Sequence, residues 1–238
     1  MDLKIATAAL LPILALQGQR VKKNTLRLAE PSGERQGCIG QGRPLSILIV
    51  GDSAAAGVGV EQQEQALLGQ LLACLQDHYQ VTYQLHAKTG RTTAQLISAV
   101  QKLPVQKVDV VISSIGVNDV TRLMPIERWS AQQQRLYGVI QNKFNPELII
   151  AASVPPMHLF PALPQPMAWL LGEYAKHMNQ RLAAYTKQQP HMLCLEYDLE
   201  KYQAMNLQMA KDGFHPSHDI YRFWAQSMAE HIQAQFKS

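Results

Sequence analysis

The chain has 238 residues, 47% of them hydrophobic and 17% charged, with a formal net charge of +4 from 22 Lys and Arg against 18 Asp and Glu. A chain this long closes a core without a metal or disulfide staple, and its cations are scattered rather than gathered on one helix or arm, which argues against a nucleic-acid partner. Cys38, Cys74 and Cys194 lie far apart with no C-x-x-C spacing, so neither zinc nor a disulfide framework is indicated and reduced thiols are expected.

The first element is an apolar run at 5–16, IATAALLPILAL, followed by Arg20, Lys22, Lys23 and Arg27. It is too short to span a bilayer. The positive charges follow the run instead of preceding it, and no A-x-A site stands before Gln17-Gly18-Gln19. A helix that packs on the domain, or rests on a membrane surface through residues 5–27, is therefore preferred to a cleaved leader. The first reading places the protein in the cytoplasm, with or without membrane association; a cleaved leader would make it periplasmic or secreted. Residues 30–44 form a polar connector carrying Gly33, Gly37, Gly40 and Gly42. Residues 1–44 are thus set apart from a single domain at 45–238.

From residue 45 the chain alternates two patterns. Segments 45–50, 81–87, 108–115, 148–152 and 192–197 are the strand candidates, and most are short apolar runs with the continuity of strands covered on both faces. Between and after them, helical periodicity marks 61–78, 92–103, 130–142, 167–188 and 217–236. In the last, Ile220, Phe223, Trp224, Met228 and Ile232 recur at three- and four-residue steps and draw one apolar stripe. Strict alternation implies right-handed crossovers and a five-stranded parallel sheet between helix layers, an α/β fold with no second domain.

In such a sheet the ligand crevice lies beyond the carboxyl ends of the strands. The residues found there are polar and few: Gly51-Asp52-Ser53 after the first strand, Gly90-Arg91 after the second, Gly116-Val117-Asn118-Asp119 after the third, and Asp212-x-x-His215-Pro216 before the last helix. A serine hydroxyl is a weak nucleophile until a base takes its proton, and a histidine is suited to that near neutral pH. A carboxylate that fixes the histidine tautomer completes the set, and Asp212 is close enough to His215 to do so locally. Ser53 then supplies the nucleophile. The backbone N–H groups of Ser53 and Gly90 and the Asn118 amide are candidate donors to an oxyanion. Simpler roles stay open: a helix N-cap for Ser53, a loop anchor for Asp52, an Asx turn for Asn118, and Glu196 or Asp198 as the partner of His215.

These four blocks, in this order, resemble those of the SGNH hydrolases, also called the GDSL esterase/lipase superfamily, over residues 45 to about 236. The resemblance implies a flavodoxin-like three-layer α/β/α fold and a Ser-His-Asp hydrolase, with Ser53, His215 and Asp212 catalytic and with Ser53, Gly90 and Asn118 as the oxyanion hole. It implies no metal or organic cofactor. The chain departs from the family name at Ala54, where leucine stands. The nucleophile elbow G-x-S-x-G is excluded by Ala55, and no dinucleotide or phosphate-loop motif is present.

The loop after the fourth strand, beginning Val154-Pro155-Pro156-Met157, is unusually apolar. Met157, Leu159, Phe160, Leu163 and Trp169 are candidates to line a substrate pocket; the alternative is that they cover the core or the N-terminal helix. The expected substrate is a small-molecule or lipid ester, with short to medium acyl or aryl groups. A thioesterase, a lysophospholipase, or a non-catalytic binding module remain the alternatives, and sugar esters are less favoured by so apolar a loop.

Overall fold

The computed structural model describes residues 3–237; residues 1, 2 and 238, at the ends of the two expected segments, lie outside the described residues. In chain order the elements are α1 (Leu3–Asn24), β1 (Gln36–Ile39), β2 (Arg43–Gly51), α2 (Ser53–Ala56), α3 (Leu67–Leu75), β3 (Tyr79–Ala87), α4 (Thr93–Lys102), β4 (Val110–Ser114) and α5 (Val117–Val120). They continue with α6 (Ile126–Phe144), β5 (Leu148–Ala152), α7 (Met167–Thr186), β6 (Met192–Leu195), α8 (Leu199–Ala204) and α9 (His218–Gln235). Among the described residues one sheet forms, in the order β1-β3-β2-β4-β5-β6.

The five expected strands pair in parallel, and β1 adds a sixth, antiparallel to β3. The expected connector at 30–44 therefore builds sheet. All four β1 residues are exposed, so this edge strand carries no burial alternation by which a sequence reading could find it.

The central strands explain the layers. Every residue of β4 and β5 is buried, and alternate side chains enter two separate cores. Leu48, Val50, Val111 and Ile149 face α4, α6 and α7, while Ile47, Ile49, Val110 and Ile112 face α3 and α9. A polar residue at most of these positions would be buried on one face or the other, which is why the strands read as continuous apolar runs. On the first side α1 adds a further layer, with Ala6 and Leu14 packed in the same cluster as Met167 and Tyr174 of α7.

Several boundaries differ from expectation for tertiary reasons. The helix expected at 61–78 divides into a 3₁₀ turn at Gln63–Gln65 and α3, with Ala66 extended between them. Gln63 is drawn into the interior, its amide donating to Ala56 O at 2.9 Å and its N–H to Ser32 O at 2.7 Å. At its far end α6 is stopped by Asn145 in the left-handed region, and α9 starts at a cap in which Ser217 Oγ accepts the Ile220 N–H at 3.5 Å.

Candidate active site

Strand β2 delivers Gly51 against β4. A Cβ there would stand 2.1 Å from Ser114 O, so only glycine lets the chain turn this close to its neighbour. The turn is then held by Asp52 N–H donating to Ser114 O at 3.1 Å. Asp52, not Ser53, caps α2, its carboxylate accepting the Ala54 N–H at 3.1 Å. Ser53 is the first residue of that short helix, which leaves its hydroxyl unengaged in capping. Ala55 and Ala56 are fully buried in the α3/α9 core. Their small size lets α2 sit on the sheet, and of the three alanines at 54–56 only Ala54 lines the cavity beside Ser53.

His215 arrives from the loop before α9. Its Nε2 lies 2.9 Å from Ser53 Oγ, and its Nδ1 lies 2.5 Å from Asp212 Oδ2. The other oxygen, Asp212 Oδ1, accepts the backbone N–H groups of Phe214 and His215, each at 2.9 Å. The Asp212 side chain is fully buried, and that of His215 is partly buried, 17% exposed. Burial alone would raise the Asp212 carboxyl, but the hydrogen bonds from the His215 ring and the two N–H groups hold it below its usual value. The carboxylate thus stays charged into acidic solution. The loop is pinned on both sides, with Ala210 N–H donating to His215 O at 2.8 Å and Ala162 N–H to Gly213 O at 3.1 Å. Gly59 presses against the next residue: at φ +120°, a Cβ there would meet Pro216 O at 2.0 Å.

The other candidates for His215's partner are elsewhere. Asp198 caps α8 through Lys201 N–H, and Glu196 lines a different concavity, beside Trp169.

Asn118, in the first turn of α5, donates from Nδ2 to Arg91 O at 3.0 Å, with a longer 3.5 Å approach to Asp52 Oδ2. This ties the β4 block to the turn carrying Gly90, an exposed residue at φ +78°. Arg91 itself reaches back to His86 O at 3.1 Å, a structural contact. Asp119 is buried and accepts both the N–H and the hydroxyl of Thr93, at 3.0 and 2.7 Å. It therefore binds the start of α4 to the same turn, a role not anticipated from its sequence.

Burial of the Asp52 carboxyl pushes it up to about 7, opposed by the Ala54 N–H and the nearby His215. Burial likewise raises Asp119.

Beside Ser53 and His215 opens a cavity of about 330 Å³. Its walls are mostly apolar. Leu159 and Phe160 come from the loop after β5; Tyr197, Tyr202 and Leu207 come from the segment after β6; Trp224 comes from α9. Trp224 Nε1 donates to Tyr202 OH, and the Tyr197 and Trp224 rings meet edge-on at 5.5 Å.

Of the five expected pocket residues, Leu159 and Phe160 line this cavity. Met157 and Leu163 are buried in the α7 core, because the 3₁₀ turn Met157–Leu159 directs Met157 inward and Leu159 to the pocket. Trp169 lines a separate concavity of about 720 Å³, with Glu173 and Lys176. Sequence reading missed the segment 197–209. Its signal was present as Tyr197, Leu199, Tyr202, Leu207 and Met209 between the last strand and Asp212, an apolar content high for a connecting segment.

Neither Gly90 nor Asn118 lines the cavity. Among the described residues, no cluster of three or more His, Cys, Asp or Glu side chains is arranged to hold a metal ion.

A sequence model of the GDSL-like lipase/acylhydrolase family matches residues 49–223. No curated protein matches the chain. Among solved structures, a lipolytic protein of the G-D-S-L family from Veillonella parvula superposes with a TM-score of 0.63 at 14% identity, covering 78% of this chain and 97% of its own. The aryl esterase of M. smegmatis gives 0.61 at 17% identity, covering 81% and 100%. The acetylxylan esterase Axe2 from Geobacillus stearothermophilus gives 0.53 at 17%, covering 83% and 96%. Likeness at such low identity establishes the shared fold.

Proposed function

The chain belongs to the GDSL-like lipase/acylhydrolase family and is an ester-hydrolysing enzyme; within that class we propose a serine esterase acting on carboxylic esters of short to medium acyl or aryl groups through an acyl-enzyme. The observation that carries this reading is the continuous chain of contacts from Asp212 through His215 to Ser53, ending at the mouth of an apolar cavity.

Asp212 Oδ1 is occupied by two backbone donors, so Oδ2 is left to accept from Nδ1. That fixes the histidine proton on Nδ1 and makes Nε2 the acceptor facing the Ser53 hydroxyl. In the proposed cycle Ser53 Oγ attacks the ester carbonyl and its proton passes to His215 Nε2. The protonated imidazole, steadied by the Asp212 carboxylate, then gives that proton to the departing alkoxide. Water enters, loses a proton to His215, and releases the carboxylic acid as Ser53 Oγ recovers the proton. Negative charge on the former carbonyl oxygen is met by the N–H groups of Ser53 and Gly90 and by Asn118. The Asn118 amide carries two N–H bonds: one is held by Arg91 O at 3.0 Å, and the other, engaged only by the long 3.5 Å approach to Asp52 Oδ2, is the one that turns to substrate.

The cavity bears on substrate class. Its volume of about 330 Å³ and its mostly apolar walls suit an acyl chain or ring of several carbons. A sugar ring would meet few polar partners there, so acyl or aryl groups are preferred to the acetylated carbohydrate named for one structural neighbour. Each methylene buried is worth about 0.8 kcal/mol, so butyrate should exceed acetate in kcat/KM by roughly tenfold. The test is turnover of p-nitrophenyl acetate and butyrate by wild type and by Ser53→Ala. A loss of at least about 10³-fold in the variant is expected; equal rates would remove the esterase assignment.

A further inference from the structure

Helix α1 inverts the usual arrangement of a surface helix. From residue 5 to 16 its one polar side chain, Thr7, turns inward to meet Tyr174 OH at 3.1 Å. The outward side instead carries Ile5, Ile13 and Leu16, 65%, 47% and 70% exposed, together with Leu11 at 54%. The inward side is already satisfied: Ala6 and Leu14 are buried, Leu3, Leu10 and Val21 pack against the α7 cluster, and Gln17 Nε2 donates to Gln165 O at 2.6 Å. Holding the helix in place therefore does not explain the outer apolar face. A helix apolar on all sides belongs to a protein interior or to a lipid environment, and no helix of the described residues is long and apolar enough to cross a membrane.

The chemistry beside this face points to its occupant. Arg20, Lys22, Lys23 and Arg27 follow it, all exposed, and no Asp or Glu occurs from residue 3 through 29. Cations bordering an exposed apolar patch complement anionic head groups above an acyl layer. They disfavour a symmetric contact with a second copy, since an isologous interface brings the same patch, and the same charges, together.

We propose that the outer face of α1 docks on an anionic lipid surface, with Ile5, Ile13 and Leu16 entering the acyl boundary and Arg20, Lys22, Lys23 and Arg27 engaging the head groups. The docking stands apart from the ester chemistry, because no α1 residue lines the cavity at Ser53.

The experiment is flotation of the full chain with phosphatidylcholine vesicles, with and without phosphatidylglycerol, at low and high salt. Wild type should float with the anionic vesicles and be released by salt. The triple variant Ile5→Asn, Ile13→Asn, Leu16→Asn and the double variant Lys22→Glu, Lys23→Glu should each lower the bound fraction by about tenfold or more. Both should keep wild-type turnover of a soluble p-nitrophenyl ester. Binding that is equal with and without phosphatidylglycerol, or unchanged in both variants, overturns the proposal. So does a wild-type dimer that ignores vesicles and becomes monomeric in the triple variant.

Discussion

Replacing Asp212 by asparagine alters one atom and tests the proposed proton path directly. Asp212 Oδ2 faces His215 Nδ1 at 2.5 Å, and Oδ1 accepts two backbone N–H groups at 2.9 Å. In the variant one of these positions becomes an NH₂. Turned toward the backbone, it sets donor against donor and leaves two buried N–H groups unpaired, each costing about 1–3 kcal/mol. Turned toward the ring, it needs only the other histidine tautomer, with the proton on Nε2. The second arrangement wins. Nε2 then donates to Ser53 Oγ and cannot take its proton, so kcat should fall by about 10⁴, roughly 5 kcal/mol of barrier. The fold, keeping both backbone bonds, should lose about 1 kcal/mol or less. The assay is p-nitrophenyl butyrate turnover at neutral pH beside urea unfolding of the same protein. A stably folded variant keeping more than about a hundredth of wild-type kcat, far above the loss expected for a wrong tautomer, would show that Asp212 does not orient His215.

Three further outcomes are expected. Asn118→Ala should lower kcat by about 10²–10³ with little change in KM, as for loss of one oxyanion donor; a change confined to KM would assign Asn118 to ground-state binding. Leu207→Trp, filling part of the cavity, should reduce kcat/KM for hexanoyl esters by about tenfold and leave acetyl esters near wild type, since about two methylenes lose their buried site; a uniform change along a ladder of acyl lengths would remove the acyl chain from this cavity. Asp52 is an acid whose folded value is raised to about 7 from 3.8. The folded state then keeps a proton that the unfolded chain has lost, and stability falls as pH rises from about 4 to 7, by up to about 4 kcal/mol. Unfolding of Asp52→Asn and wild type across that range should diverge with rising pH, the variant gaining; parallel curves would contradict it.

The alternation of strand and helix, the order of the four blocks and the pairing of Asp212 with His215 were legible in the sequence because each rests on local causes. A strand buried on both faces must be largely apolar, a helix on one core must repeat every three or four residues, and two residues three apart in a loop that turns at a glycine are brought within reach of each other. The short glycine-rich turns also lie where the carboxyl ends of parallel strands put them.

Other features depended on distant partners. Strand β1 exists because β3 offers it an open edge, and its exposed residues carry no period. Met157 and Leu163 look as fit for a pocket as Leu159 and Phe160; a single 3₁₀ turn and the position of α7 decided which faced inward. The cavity walls at 197–209 were hidden because an apolar residue is the same letter whether it lines a core or a binding site. Composition and periodicity determined which side chains must leave water, and only the packed chain decided which surface received them.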